Sequence, residues 1–501
     1  MLHAHLPFIH HPESDDYLEE SWLYEAISET YIPLLQNFQK LVDEKVNFRI
    51  TMSMTPPLLS MLDSKLLQKK YIKYLEKLIE LSEKEIKRTT YDQRINDLSH
   101  YYFNKYSEDL RLFKDVFNCN LIEQFKHFQD LGVLEIITCG ATHGYFPILY
   151  VNEKTVRAQI AVGVQTYERF FGRKPRGIWL PECGYVPEAD KYLREFGLEY
   201  AIVESHGILY ANPTPIYGTL APIVSPQGFT VFGRDIESSM QVWSSIDGYP
   251  GDYNYREFYR DIGYDIDYDY IKPYIAHNGV RVHTGIRYYR ITGKTEFKDV
   301  YNLQWAKDSA ERQAGHFFNS RIEQIENASK YMDKYPEIQQ CEPCRSSWGA
   351  NGYSEVWLNP SNDYAHRHLH VAGDRMCELA YRFSKDYDVL KNYENEIQKL
   401  KKEKKSISTI TSKKDYRETK LRVRALNQMA RELLLAQSSD WLFIITNNTM
   451  VDYAHRRIKD HIGRLTRLYN EIKENKIDKN FLLEIEKKDS IFPDIDYRIY
   501  G

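Results

Sequence analysis

No apolar run in the 501 residues approaches the ~20 needed to span a bilayer, so a membrane-crossing helix is excluded. No secretory leader is read either: Met1-Leu2-His3-Ala4-His5-Leu6-Pro7 runs directly into the body of the chain. Cysteine is sparse, and six scattered residues in so long a chain favour a reducing cytoplasm. Cys341-x-x-Cys344 lacks a second pair, which leaves a zinc or redox site as the minor reading there. An excess of one charge is missing too, and a formal net charge of -4 exerts no general pull toward nucleic acid. What the chain does have is tyrosine, 40 residues against 22 Phe and 7 Trp. Rings with a hydroxyl handle suit surfaces that stack on sugars, although Tyr-rich cores and coding bias give the same excess. With 42% hydrophobic and 28% charged residues, the chain reads as a globular protein long enough for two or three domains.

One stretch organises the rest. Gly177-Ile178-Trp179-Leu180-Pro181-Glu182-Cys183-Gly184-Tyr185 reads as a short apolar strand that ends at a proline and delivers one carboxylate. Gly184 is expected to allow a sharp turn, and Pro187 to open a helix running to Phe196. Glu182 thus falls at the carboxyl end of a strand, where α/β folds place their chemistry. Apolar and aromatic neighbours would desolvate it and raise its pKa. The alternative is a glutamate that merely caps the following helix.

Strand and helix patterns alternate around it. His3-x-His5 lies at the tail of a first strand, where residues two apart share a face. Helical spacing follows from Trp22 to Tyr31 and from Pro33 to Val42, then alternation from Val46 to Met52 predicts a strand. The tract from about 58 to 130 shows no strand and reads as a helical insertion, with Leu67, Tyr71, Tyr74, Leu75, Leu78 and Ser82 on one face. Strands are predicted at Leu134–Thr138, Tyr200–Val203 and Phe229–Gly233, with helices from Val156 to Phe171 and from Gln304 to Met332. After Met332 the alternation calls for a strand, yet the sequence there is short, polar and proline-broken. From Trp348 onward the texture is helical to about Leu468. The basic run Lys399–Lys405 suits a solvated helix face, and Ser438-Ser439-Asp440-Trp441 interrupts the helices.

These segments together resemble glycoside hydrolase family 57, and within it the 1,4-α-glucan branching enzymes. The resemblance rests on HAHLPF (3–8), GATHGYFP (140–147), GIWLPECGY (177–185), GYPGDYNYREFYRDIG (248–263), YYRITGK (288–294), SSWGANGYSEVWLN (346–359), NDYAHRHLH (362–370) and SSDWLF (438–443), in family order. It implies an α/β fold: an incomplete (β/α)7 TIM-like barrel with a helical insertion over 1–340, an all-helical C-terminal domain over 341–490, and a tail over 491–501. It implies retaining double displacement on an α-1,4-glucan, with Glu182 as the nucleophile and a second glucan's 6-hydroxyl as acceptor. His3, His5 and His143 would bond the sugar, and Trp243, Trp348, Trp357, Asp440 and Trp441 would contact the glucan. No cofactor and no metal are implied, and a monomer or small homo-oligomer is expected.

The chain departs from the family twice. The family's acid/base aspartate, on a strand near D-x-E-L-F-G-H-W-W, has no counterpart, and its place falls between Met332 and Tyr335, which suggests an internal deletion. Asp247, Asp252 and Asp363 are the acids left that could approach Glu182, although Asp252 in GYPGD suits a turn. The family also carries residues before the first His-x-His, so either an upstream start is missed or the first strand is lost. Three readings result: an active branching or related glucan-transferring enzyme, a family member that binds glucan without turnover, and a metal-dependent hydrolase built on the histidines.

Overall fold

Apolar strands separated by helices build a parallel sheet, as the alternation predicts. The computed structural model describes residues 1–275, 280–334 and 338–501. Its strands are β1 (Leu2–Ala4), β2 (Ile50–Met54), β3 (Leu134–Cys139), β4 (Gly177–Trp179), β5 (Tyr200–Val203), β6 (Ile223–Val224) and β7 (Thr230–Gly233). They form one seven-stranded sheet in the order β1-β2-β3-β4-β5-β7-β6. Neighbours are parallel except the edge pair β6 and β7. β1 and β6 stand at the two ends of this run, as an incomplete barrel requires.

Three expectations are corrected. The alternating stretch from Val46 becomes a strand only at Ile50. β6, two residues long, was not foreseen, because so short a segment carries no periodic signal. The first strand is not lost: Leu2, His3 and Ala4 pair in register with Met52, Ser53 and Met54. After the helix at Leu303–Lys334, where the sequence reads as short, polar and proline-broken, Gln340 makes a single bridge to Val224. The expected deletion borders residues 335–337, which lie outside the described residues.

The insertion is helical throughout, with helices at Pro56–Asp63, Lys65–Arg88, Gln93–Arg111 and Leu121–Asp130. The Ser64 side chain caps the second of these by accepting from Leu67 N. Leu67, Tyr71, Leu75, Leu78 and Ser82 are buried along the face read from spacing. C-terminal helices span Asp363–Arg382, Lys414–Ala436, Ser439–Thr446 and Val451–Lys473. The break between the second and third of these docks on the loop after β3: Gly144 bridges Ser438, Ser439 N donates to the His143 carbonyl, and the Thr142 hydroxyl donates to the Leu434 carbonyl. This contact carries Ser439 and Asp440 to the strand ends. Residues 491–501, read as a tail, are packed in: Ile491, Ile495, Tyr497 and Tyr500 are buried, and Tyr497 donates to the Phe383 carbonyl.

A buried polar set ties these helices together. His461 Nδ1 lies 2.6 Å from Glu432, and Arg464 lies 2.6 Å from Asp489. Burial first, then Arg457, holds the His461 pKa down to about 3. The unfolded chain takes up a proton at His461 below pH 6.5 while the folded chain does so only near 3, so this residue's contribution to stability falls as pH drops through that window. His461→Gln cannot titrate. The wild type's stability margin over it is expected to shrink by about 3 kcal/mol between pH 7 and pH 4, read by urea denaturation at both pH values. A margin independent of pH would refute this.

Candidate active site

The site begins where β4 stops. Pro181 ends ladder pairing, and Glu182 follows with φ 60° and ψ 26°, then Cys183 with φ 50°. The turn therefore falls on two non-glycine residues in the left-handed region, at a cost of about 1–2 kcal/mol each. Gly184 was expected to make that turn, yet its φ is -74°. It is needed for space: a Cβ there would lie 2.6 Å from the Tyr145 ring and 2.9 Å from Pro147. His143, in the loop after β3, is also left-handed at φ 60°.

Glu182 is buried and its carboxylate is held at both oxygens. The Ser439 hydroxyl donates to Oε1 at 2.8 Å, and Trp348 Nε1 donates to Oε2 at 2.7 Å. Burial, then the charge of Asp440, pushes its pKa up to about 7 against the pull of these two donors and of His5. Ser439 has one proton, spent on Glu182, so it accepts from His143 Nδ1 at 2.8 Å. His143 is then a bare acceptor at Nε2, an atom that is buried and has no partner among the described residues. Trp179 Nε1 is likewise buried and unpartnered. Two orphaned polar atoms beside a locked carboxylate suit a ligand that brings its own hydroxyl groups.

His3 and His5 come together, as their spacing predicts, and His143 joins them from the loop after β3. His5 and His143 stack at 3.9 Å, His3 and His143 at 5.3 Å, and His3 lies on Trp179 at 4.6 Å. Burial holds His3 and His143 well below the usual histidine range, so both are neutral near pH 7. His3 Nδ1 pairs with the Ser53 hydroxyl at 2.5 Å. His5 is committed on both sides, to Thr55 at 3.0 Å and to Asp440 at 2.9 Å. It positions Asp440 and has no nitrogen left for a sugar. Asp440 accepts also from the Ser438 hydroxyl at 2.5 Å. Burial would raise its pKa, but His5 and Ser438 outweigh that and keep it low, so it is a poor proton donor.

The other expected residues divide. Trp348 is at the site. Trp357 is 1% exposed and stacks on Tyr145 at 4.4 Å. Trp441 is also 1% exposed and donates to the Leu435 carbonyl. The expectation of glucan contact at these two rings is corrected, because packing between helices and barrel covers their faces. Trp243 is 66% exposed at the end of its helix. Asp252 is engaged by Gln313 at 2.7 Å and by the Asn254 amide, and Asp247 and Asp363 are exposed. The groups that most shape Glu182 ionisation are Asp440, Ser439, Trp348 and His5, with none of these three acids among them. Sequence reasoning missed Trp179, Ser53, Thr55 and Ser439. The β1–β2 pair offered a signal: the Ser53-x-Thr55 pattern runs beside His3-x-His5 in parallel register.

Among the described residues, two sets bring metal-binding side chains together, His5 with His143 and Asp440, and Glu432 with His461 and Asp489. In the first, the two imidazoles lie face to face at an interplanar angle of 13°. Their lone pairs lie in two nearly parallel planes stacked face to face, an arrangement ill suited to pointing both at one ion. In the second, Arg464 already occupies the carboxylates' side of the cluster, 2.6 Å from Asp489 and 3.7 Å from Glu432. Cys341 and Cys344 are unpaired thiols.

Residues 1–339 match the family model of glycosyl hydrolase family 57, and residues 399–500 match that of the 1,4-alpha-glucan branching enzyme C-terminal region. A 1,4-alpha-glucan branching enzyme of Thermococcus kodakarensis is 30% identical over 573 aligned residues, covering 98% of this chain and 76% of that protein. Among solved structures, the novel alpha-amylase AmyC from Thermotoga maritima matches with TM-score 0.85 and 39% identity, covering 100% of this chain and 98% of that one. A GH57 branching enzyme from the same Thermococcus species matches with TM-score 0.80 and 29% identity, covering 100% and 95%.

Proposed function

This chain belongs to glycosyl hydrolase family 57, and from that premise we propose that it acts on α-1,4-glucan by retaining double displacement, with Glu182 as nucleophile and 1,4-α-glucan branching as the reaction. The carrying observation is the Glu182 carboxylate, buried at a strand end and held at both oxygens by Ser439 and Trp348. Ionised, it attacks C1 of the bound glucosyl unit, and the two donors keep it aimed along one line. His143 Nε2, His3 and Trp179 Nε1 would bond sugar hydroxyls, and Asp440, fixed by His5, would accept from another. A second glucan's 6-hydroxyl then displaces Glu182 and leaves an α-1,6 branch. The test is amylose incubated with the protein and then treated with a debranching enzyme. New chains released by debranching support the reading, and their absence alongside failure to turn over an activated donor removes it.

A second reading is favoured by one observation. The match to the Thermococcus branching enzyme extends over 573 aligned residues, more than the 501 of this chain, so that relative carries segments missing here. This supports the loss of the acid/base strand and a protein that binds glucan but turns over unactivated glucan poorly. The face-to-face histidines weigh against the metal-dependent alternative. A cytoplasmic setting is proposed from the six unpaired cysteines. No helix among the described residues is long and apolar enough to cross a membrane.

The raised pKa makes the nucleophilic step pH-dependent. Glu182 must be ionised to attack, so kcat/KM for an activated donor falls as pH drops below about 7. Fluoride release from α-maltotriosyl fluoride needs no proton donor and isolates this step: the Glu182 oxygen bonds to C1 and fluoride departs as the anion. A midpoint near 4.5 instead would show that the carboxylate is solvated in solution.

A further inference from the structure

We propose that Arg234 and Glu204 are positioning residues for the nucleophile, acting through Trp348; this rests on Glu182 being the nucleophile. β5 and β7 are parallel neighbours with Val203 opposite Gly233. The next residue of each strand, Glu204 and Arg234, therefore emerges at the same level of the barrel rim. Arg234 Nη1 donates to Glu204 Oε2 at 2.6 Å, and Nε donates to the Ser239 hydroxyl at 3.3 Å. Glu204 Oε1 in turn accepts from the amide and the hydroxyl of Ser205. The pair is thus anchored at both ends, with side chains 16% and 9% exposed.

The guanidinium so fixed lies 5.3 Å from the centroid of the Trp348 ring, within the range of a cation–π contact. Trp179 meets the same ring at 5.1 Å with a 60° tilt. Trp348 sits in an irregular Gly/Asn-rich loop and is 37% exposed. Its amide donates to the Glu182 carbonyl, which fixes its backbone but leaves the side-chain torsions to be set by the groups against the ring. These are Arg234 and Trp179, with the His3 ring edge-on at 6.3 Å. The orientation matters because the indole N–H is one of only two side-chain hydrogen bonds recorded to the Glu182 carboxylate among the described residues. A donor to the ionised form stabilises it, so loosening the ring raises the pH at which Glu182 becomes competent. The other ionisable groups around this carboxylate are Asp440, His5, His143, Tyr145, Cys139 and Cys183. Of these only Cys183, whose thiol burial holds well above its usual range and so keeps neutral, also feels the charge of Arg234.

Initial fluoride release from α-maltotriosyl fluoride, followed against pH, tests this. Trp348→Phe removes the donor and is expected to move the midpoint upward by about one pH unit. Arg234→Ala should move it the same way by about half a unit, a threefold lower rate at pH 6. Arg234→Lys keeps a cation against the ring and should restore most of the loss. The distinguishing variant is Arg234→Ala combined with Trp348→Phe, expected to behave like Trp348→Phe alone. Should Arg234→Ala not fold, the near-isosteric Glu204→Gln carries the same test, alone and with Trp348→Phe. An unchanged midpoint in these variants, or a full additive effect in the Trp348→Phe background, overturns the proposal. Fluoride release that survives Glu182→Gln overturns the nucleophile reading instead, so the two failures are separable.

Discussion

Glu182→Gln is expected to lower fluoride release from α-maltotriosyl fluoride by on the order of 10⁴-fold or more, the scale of loss when a covalent nucleophile is removed. The amide matches the carboxylate in shape and still accepts at Oε1, so Ser439 keeps its partner at that position. It cannot supply the electron pair and charge that form the bond to C1. The effect should therefore lie in kcat, with glucan binding retained, because His3, His143 and Trp179 are untouched. Intact mass spectrometry gives an independent readout: a fluorosugar that traps the covalent intermediate should add one glycosyl mass to the wild type and none to the variant. A trapped adduct on the Gln variant would place the nucleophile elsewhere.

The second large effect concerns the leaving group. General acid catalysis contributes about 10²–10⁴-fold, and in a retaining site the acid must lie about 5 Å from the nucleophile. Asp440 is the carboxylate with the strongest electrostatic influence on Glu182, yet it is held by His5 and Ser438 in its ionised form. Asp252 is held by Gln313. Branching of amylose by the wild type is therefore expected to run about 10²–10⁴-fold below ordinary rates, while α-maltotriosyl fluoride, whose leaving group needs no proton, loses far less. On the reading that the acid/base group is lost, the base for the second half-reaction is lost with it. Added azide, an anion that needs no base, should thus accelerate turnover of the fluoride and yield the α-glycosyl azide. Amylose branching at about 1 s⁻¹ or faster, insensitive to azide, would show that another residue supplies the proton.

Local pattern and tertiary contact contributed differently to what this chain is. Period-two spacing put His3 and His5 on one face, and Pro181 stopped β4 where Glu182 could leave the sheet; both are near-neighbour rules of backbone geometry and were legible in the sequence. The buried face of the helix Lys65–Arg88 was legible for the same reason. Trp357 and Trp441 carried no such signal, since an aromatic in a loop or helix is open or covered according to what packs on it, and here Tyr145 and the neighbouring helices cover both. The partnership of His5 with Asp440 spans 435 positions, and that of Glu182 with Ser439 spans 257. No local periodicity encodes either, because they arise only when the break after Ala436 docks on the loop beyond β3. The residue proposed as nucleophile was thus written in one short stretch. Its protonation and aim were decided by side chains that folding brings from Trp348, from Ser439 and from Asp440, because burial, charge and hydrogen bonding act across space and not along the chain.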